Sequence, residues 1–249
     1  MSEIVKQIEY KGFTINIYPD FAPSNPWEEW DCQPPLLVLN DGRFTEYGLN
    51  ARAPQLTRDQ IKASLPALKK AFGFDRLLPF CRDYAASQRY NYTGAVDLVN
   101  DALSEYVEQQ SKSEQMELLA VLHRATGSPA LCKSVHGFSQ GSYAEVLLVA
   151  TPEWVKATGI KPENVEESLK QDAQTYAAWA FGSVYGYDVE GIEESGCWGF
   201  YGYDHEESGL LEHAQNDIDC HIERVRRERI VQVKTWIRHH VPLHHRVFA

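Results

Sequence analysis

Apolar and polar positions alternate at the start of the chain. Ile8-Glu9-Tyr10 alternates before Lys11-Gly12, and Phe13, Ile15 and Ile17 fall on one face after it. A period of two interrupted by Lys-Gly predicts a hairpin with its second strand near 13–17. A loop with Pro19, Pro23, Pro26, Pro34 and Pro35 follows, carrying Trp27 and Trp30. Leu36-Leu37-Val38-Leu39 is a short apolar run fit for a buried strand.

From 57 the period becomes helical. Thr57-x-x-Gln60 has the form of a capping box and opens a helix to about 72, which Pro66 is expected to kink or split. Thr93 reads as the cap of a helix to about 110, with Val96, Val99, Leu103 and Val107 as its stripe. Ser111-x-x-Glu114 caps another helix, to about 124, and Gly127-Ser128-Pro129 ends it. β character returns at 130–136 and 143–150. Thr151-Pro152-Glu153 is a helix start, with a cap, a proline at the first helical position and an acid in the first turn. Lys161-Pro162 opens a longer helix to about 181. Strands are expected at 183–190 and 193–201, with Gly191 at the turn. The last helix runs from about 208 to 240. Leu211, Ala214, Ile218, Ile222 and Val225 share a face, after which the stripe slips to Ile230, Val233 and Ile237. That slip predicts a kink or break near 226–229.

These elements predict an α+β protein. A mixed or antiparallel sheet from 1–56 and 130–202 packs against the C-terminal helices 152–181 and 208–240. The expected domain is 1–56 with 127–249, carrying 57–126 as an inserted helical lobe. At 249 residues, 43% of them hydrophobic, the chain can bury a sizeable core. The amino terminus has no apolar core of signal-peptide length, and no stretch reaches the roughly 18 apolar residues of a membrane helix, so a cytoplasmic protein without membrane contact is expected. Five cysteines, an odd number without a C-x-x-C, argue against a zinc ribbon and a disulfide framework.

Charge divides the chain. Residues 151–223 hold 3 Lys/Arg against 16 Asp/Glu, a net of −13, while 224–249 hold 7 against one, a net of +6, with four histidines. An acidic block beside a basic tail points to charged partners or a bipolar surface. Arg224, Arg226, Arg227, Arg229, Lys234 and Arg238, with Arg246, form a basic helix surface able to track phosphates or to pair with the acidic block. The net charge of −11 weighs against generic nucleic-acid binding.

Several groups carry possible chemistry. His239, His240, His244 and His245 are the densest set of metal-ligand candidates, at a spacing that fits no standard zinc motif. His213, Asp217 and His221 recur every four residues and could join Glu206 or Asp204 around a metal, although the apolar stripe of that helix points elsewhere. Cys197 could act as a nucleophile with His205 or His136 as its base. Gly137-x-Ser139-x-Gly141 has the letters of a nucleophile elbow, but that motif needs a helix after the serine, and a β-rich run follows here, which predicts a hairpin turn.

Tyr10-Lys11-Gly12-Phe13-Thr14-Ile15, then Asp20, Pro23 and Pro26-Trp27-Glu28-Glu29-Trp30-Asp31, and finally Gly186-Tyr187-x-Val189-Glu190 with Ser195-Gly196-Cys197-Trp198-Gly199-Phe200-Tyr201-Gly202 together resemble a family of phage and mobile-element proteins. Those combine an N-terminal Y-K-G hairpin with a late S-C-W-G-F-Y-G strand. The chain departs from that pattern in 57–126 and in Cys32, where the family has asparagine. The resemblance transfers no catalytic residue and no cofactor. It implies an accessory protein, not an enzyme, that binds a host defence protein or complex (a CRISPR effector or a restriction nuclease) and inhibits it. On this reading the acidic block is the contact surface, through Glu163, Glu166, Glu167, Glu193, Glu194, Glu206 and Glu207. Two alternatives stay open. One is a metal-dependent hydrolase or nuclease using the C-terminal histidines. The other is a nucleic-acid-binding regulator using the basic helix.

Overall fold

The structure is a computed structural model that describes residues 3–88, 94–137, 143–193 and 195–241. It is α+β with antiparallel sheets packed by helices. Contacts divide the chain into two compact units, one formed by 1–23 with 182–249 and the other by 24–181. The strands form two four-stranded sheets, one in each unit, where the sequence pattern suggested one.

The first unit joins the two ends of the chain. Strands β1 (Lys6–Tyr10) and β2 (Phe13–Pro19) form the expected hairpin. Its two-residue turn, Lys11-Gly12, has positive φ at both positions (50° and 85°), the conformation whose twist matches a right-handed strand pair. Two strands near the other end of the chain complete the sheet in the order β1-β2-β7-β8, with β7 at Val184–Val189 and β8 at Cys197–Tyr201. The terminal helix α8 (Leu210–His240) packs on one face, burying Leu210, Leu211, Ala214 and Ile218 against Ile15, Ile17, Tyr187 and Val189. Lys11 Nζ meets the Asp219 carboxylate at 2.6 Å and so ties the hairpin turn to that helix.

The second unit starts with the short helix α1 (Pro26–Glu29), capped by the Asn25 side chain. Strands β3 (Leu36–Asn40), β4 (Arg43–Tyr47), β5 (Ala130–His136) and β6 (Tyr143–Val149) pair in the order β4-β3-β6-β5. Helices α2 (Arg58–Phe72), α3 (Phe74–Ser87), α4 (Ala95–Glu108) and α5 (Lys112–Ala125) lie between β4 and β5 in sequence. They do not form a core of their own, because Leu103, Met116, Leu119 and Leu122 share one with Leu37, Leu147 and Val149 of the sheet. The other face of the sheet, with Leu36, Val38, Val146 and Leu148, is covered by helices α6 (Pro152–Thr158) and α7 (Val165–Ala180) through Trp154, Leu169, Ala173 and Tyr176. Burial on both faces is why β3 reads as an unbroken apolar run.

Both predicted capping boxes form. Gln60 N–H donates to Thr57 Oγ1 and Thr57 N–H to Gln60 Oε1, and Ser111 and Glu114 repeat the exchange. Thr93 lies outside the described residues. Neither a split at Pro66 nor a break near 226–229 occurs. Helix α2 runs unbroken through Pro66 to Phe72, its expected end, and Gly73 (φ 68°) follows it, where a left-handed backbone suits glycine. Helix α8 is continuous through 226–229, because its apolar face continues from Ile222 and Val225 to Val233 and Trp236 at spacings of three and four, with Arg229 filling one place in the row.

Candidate functional site

Helix α8 outgrows the sheet that holds it. Its 31 residues span about 46 Å at 1.5 Å per residue. The longest strand of its own sheet has 7 residues, about 23 Å. One face of the helix is therefore buried as far as Ile218 and the later turns lie in solvent, yet their apolar face persists. Leu210, Ala214 and Ile218 are fully buried, whereas Ile222 is 37% exposed, Val225 41%, Val233 51% and Trp236 59%. Ile230, toward the edge of that face, and Val231, on the other side of the helix, are exposed too.

The basic candidates occupy this same segment. Arg224, Arg226, Arg227, Arg229, Lys234 and Arg238 are all exposed on α8. At 100° per residue Arg224, Arg227, Lys234 and Arg238 fall opposite the apolar face, while Arg226 flanks it and Arg229 lies within it. Arg227 reaches Glu223 at 2.8 Å and Arg224 meets His221 Nδ1 at 3.2 Å. The result is an amphipathic, basic helix with both faces open to solvent.

The acidic candidates are divided between the units. Glu163, in the 3-10 turn Pro162–Asn164, and Glu166 and Glu167, in the first turn of α7, are exposed in the second unit, where Lys170 reaches Glu166 at 3.1 Å and Glu167 at 3.7 Å. Carboxylates at that end of a helix also complement its dipole. Glu193, Glu206 and Glu207 are exposed in the first unit. The N–H groups of Glu206 and Glu207 donate to Asp204 Oδ1 at 2.8 and 3.2 Å, which holds the Asp204 carboxyl below its usual range. Glu194 lies outside the described residues.

The ligand and nucleophile candidates fall as follows. Among the described residues no three His, Cys, Asp or Glu side chains gather closely enough to hold a metal. His239 and His240 are exposed at the end of α8, where the His240 ring stacks on Trp236 at 4.9 Å; His244 and His245 lie outside the described residues. His213 and Asp217 do share a face, but they turn to Tyr187 of β7, whose hydroxyl lies 2.7 Å from His213 Nδ1 and donates to Asp217 Oδ2 at 2.6 Å. Burial first, then the Asp217 hydrogen bond and charge, push the Tyr187 phenol far above its ordinary value, so it stays protonated and serves as a donor. His221, the third of that set, packs edge-on to Phe13. Cys197 is partly buried and packs against the core beneath α8; His205 sits edge-on to Tyr185, and His136 belongs to the other unit. Ser139 lies outside the described residues, and with it the expected turn; the flanking strands β5 and β6 pair antiparallel as far as His136↔Tyr143.

Periodicity alone pointed to the helix but not to its exposure, and no sequence signal tied Tyr187 to His213 and Asp217. Among the described residues no helix is long and apolar enough to cross a membrane. The chain matches no family model, no curated protein and no solved structure.

Proposed function

We propose that this protein acts by binding, through the C-terminal half of α8, a protein partner that offers an apolar groove with an acidic rim. The observation that carries the reading is the continuity of one apolar face from the buried turns of α8 into turns where Val225, Val233 and Trp236 are about half exposed. Exposed apolar rows of this kind mark contact surfaces, and an amphipathic helix laid into a groove is a recurring recognition mode. The arginines around the row select the acidic rim. The resemblance to mobile-element proteins supplies the setting, in which the partner is a subunit of a host defence system and its engagement inhibits that system.

The test compares wild type with the double variant Val225→Asp, Val233→Asp in affinity capture from host lysate, with bound proteins identified and their affinity then measured on purified material. Two charges in the apolar row should weaken binding at least a hundredfold, at roughly 1.5 kcal/mol or more per lost anchor, with unchanged circular dichroism. A specific partner bound equally by the variant would sink the reading. Binding to duplex DNA that falls steeply with salt, and that is lost on changing Arg224, Arg227, Lys234 and Arg238 to Gln but not in the Val→Asp variant, would favour the nucleic-acid regulator instead.

A further inference from the structure

The face of the first sheet opposite α8 carries a second surface. Register places Gln7, Asn16 and Asp188 side by side across β1, β2 and β7, and Tyr18 beside Gly186. The Trp198 indole of β8 lies flat on the backbone at Gly186, where an added Cβ would stand 2.3 Å from its ring. Pairing of β7 with β8 shifts register at this point, and Gly199 takes φ 87°, so a bulge aims Trp198 across the strand. The indole stacks obliquely against Tyr18 at 6.2 Å and is still 52% exposed.

Two carboxylates lie on the same face, those of Asp188 and Glu190, two and four residues along from Gly186, and both act electrostatically on Tyr18. Asn16, 4% exposed, accepts from Gln7 Nε2 at 2.8 Å and donates through its one amide nitrogen to Asp188 Oδ1 at 3.0 Å and Glu190 Oε1 at 3.3 Å. One neutral amide thus gathers two like charges, and among the described residues neither carboxylate has a basic side chain in salt-bridge reach. Glu9, exposed and bonded to Thr14, adds a third negative charge to the face.

We infer that this sheet face is a docking surface for an arginine-bearing basic segment of a partner protein, with the guanidinium stacked on Trp198 and its N–H groups directed to Asp188 and Glu190. A planar cation satisfies both halves of the surface at once, since it is attracted to the face of an indole and forks to carboxylates. A lysine ammonium offers the charge without the plane. The inference stands apart from the proposal for α8, which concerns the opposite charge.

The experiment titrates the full-length chain with a hexa-arginine peptide, following indole N–H resonances by NMR and affinity by calorimetry. The Trp198 resonance should shift, and hexalysine should bind several-fold more weakly. Trp198→Ala and the pair Asp188→Asn, Glu190→Gln should each weaken hexa-arginine at least tenfold, and Trp198→Phe should restore part of the loss. The control Glu163→Gln, Glu166→Gln, Glu167→Gln removes three negative charges from the other unit, one more than the pair removes here, and should change affinity less than twofold. If the control weakens binding as much as the Asp188/Glu190 pair, the attraction is only net charge and the inference falls. It also falls if the folded Trp198→Ala variant binds like wild type, if Trp198 responds to a neutral oligosaccharide and not to the peptide, or if sedimentation of the protein alone shows a dimer that Trp198→Ala abolishes, which would make a second copy the occupant.

Discussion

Tyr187, His213 and Asp217 show what side-chain chemistry becomes visible only when strands and helices meet. Two of the three lie four residues apart on one helix and were legible as a shared face. The third comes 26 residues earlier, on a strand, and its phenol proton goes to Asp217, leaving the oxygen to accept from His213 Nδ1–H. The arrangement satisfies a buried polar tip and gathers no metal set. Asp172 on α7 is the opposite case. Its Oδ2 is buried without a hydrogen-bond partner, and burial raises the carboxyl from 3.8 to about 6. Between those values the folded chain holds a proton that the unfolded chain has released, so stability falls as pH rises through this window, and the full penalty is present above it. Asp172→Asn should therefore raise stability at pH 7 by about 1–2 kcal/mol, a figure already reduced for partial exposure, and leave it nearly unchanged at pH 3.5. Denaturant melts at the two pH values measure this; an equal gain at both would show that charge burial is not the cause.

Local signals predicted elements well where a side chain bonds its own backbone. Thr57 with Gln60, Ser111 with Glu114, and Thr151 with Trp154 N–H each open a helix where expected, because a cap is complete within four residues. Strand β4 went unread, although Asp41-Gly42 (φ 47° and 69°) is a hairpin turn of the kind seen at Lys11-Gly12. Its residues, Arg43 to Tyr47, lack clean alternation because the strand lies at the sheet edge and none of its side chains is fully buried. For α8 the exposure sets the expectation. Ending the chain after His221 removes turns that are mostly in solvent, so the thermal midpoint should move by no more than about 3 °C, less than the change that 1 kcal/mol produces in a domain of this size. Helical circular dichroism should fall, and partner binding should vanish. A large loss of stability would mean that the exposed row is a structural contact.

At the scale of the whole molecule, the division into units has a direct consequence. Residues 24–181 are continuous and hold both cores of the second sheet, so this fragment should fold alone with a cooperative thermal transition. Residues 182–249 lack β1 and β2, against which β7 and α8 pack, and should remain unfolded until 1–23 is supplied. Circular dichroism of the separate and mixed fragments checks both statements, and a non-cooperative 24–181 would overturn the first. By itself the sequence determined the α+β class, the capped helix starts, the Lys11-Gly12 hairpin and the amphipathic basic character of the last helix, since all of these rest on contacts between residues close in the chain. Only the tertiary structure decided that the strands make two sheets, that the acidic residues lie on separate units and that the apolar row of α8 runs on into solvent. Strand pairing across more than 150 residues, as between β2 and β7, depends on which faces are buried together, and a periodic pattern records that a face is apolar without recording what covers it.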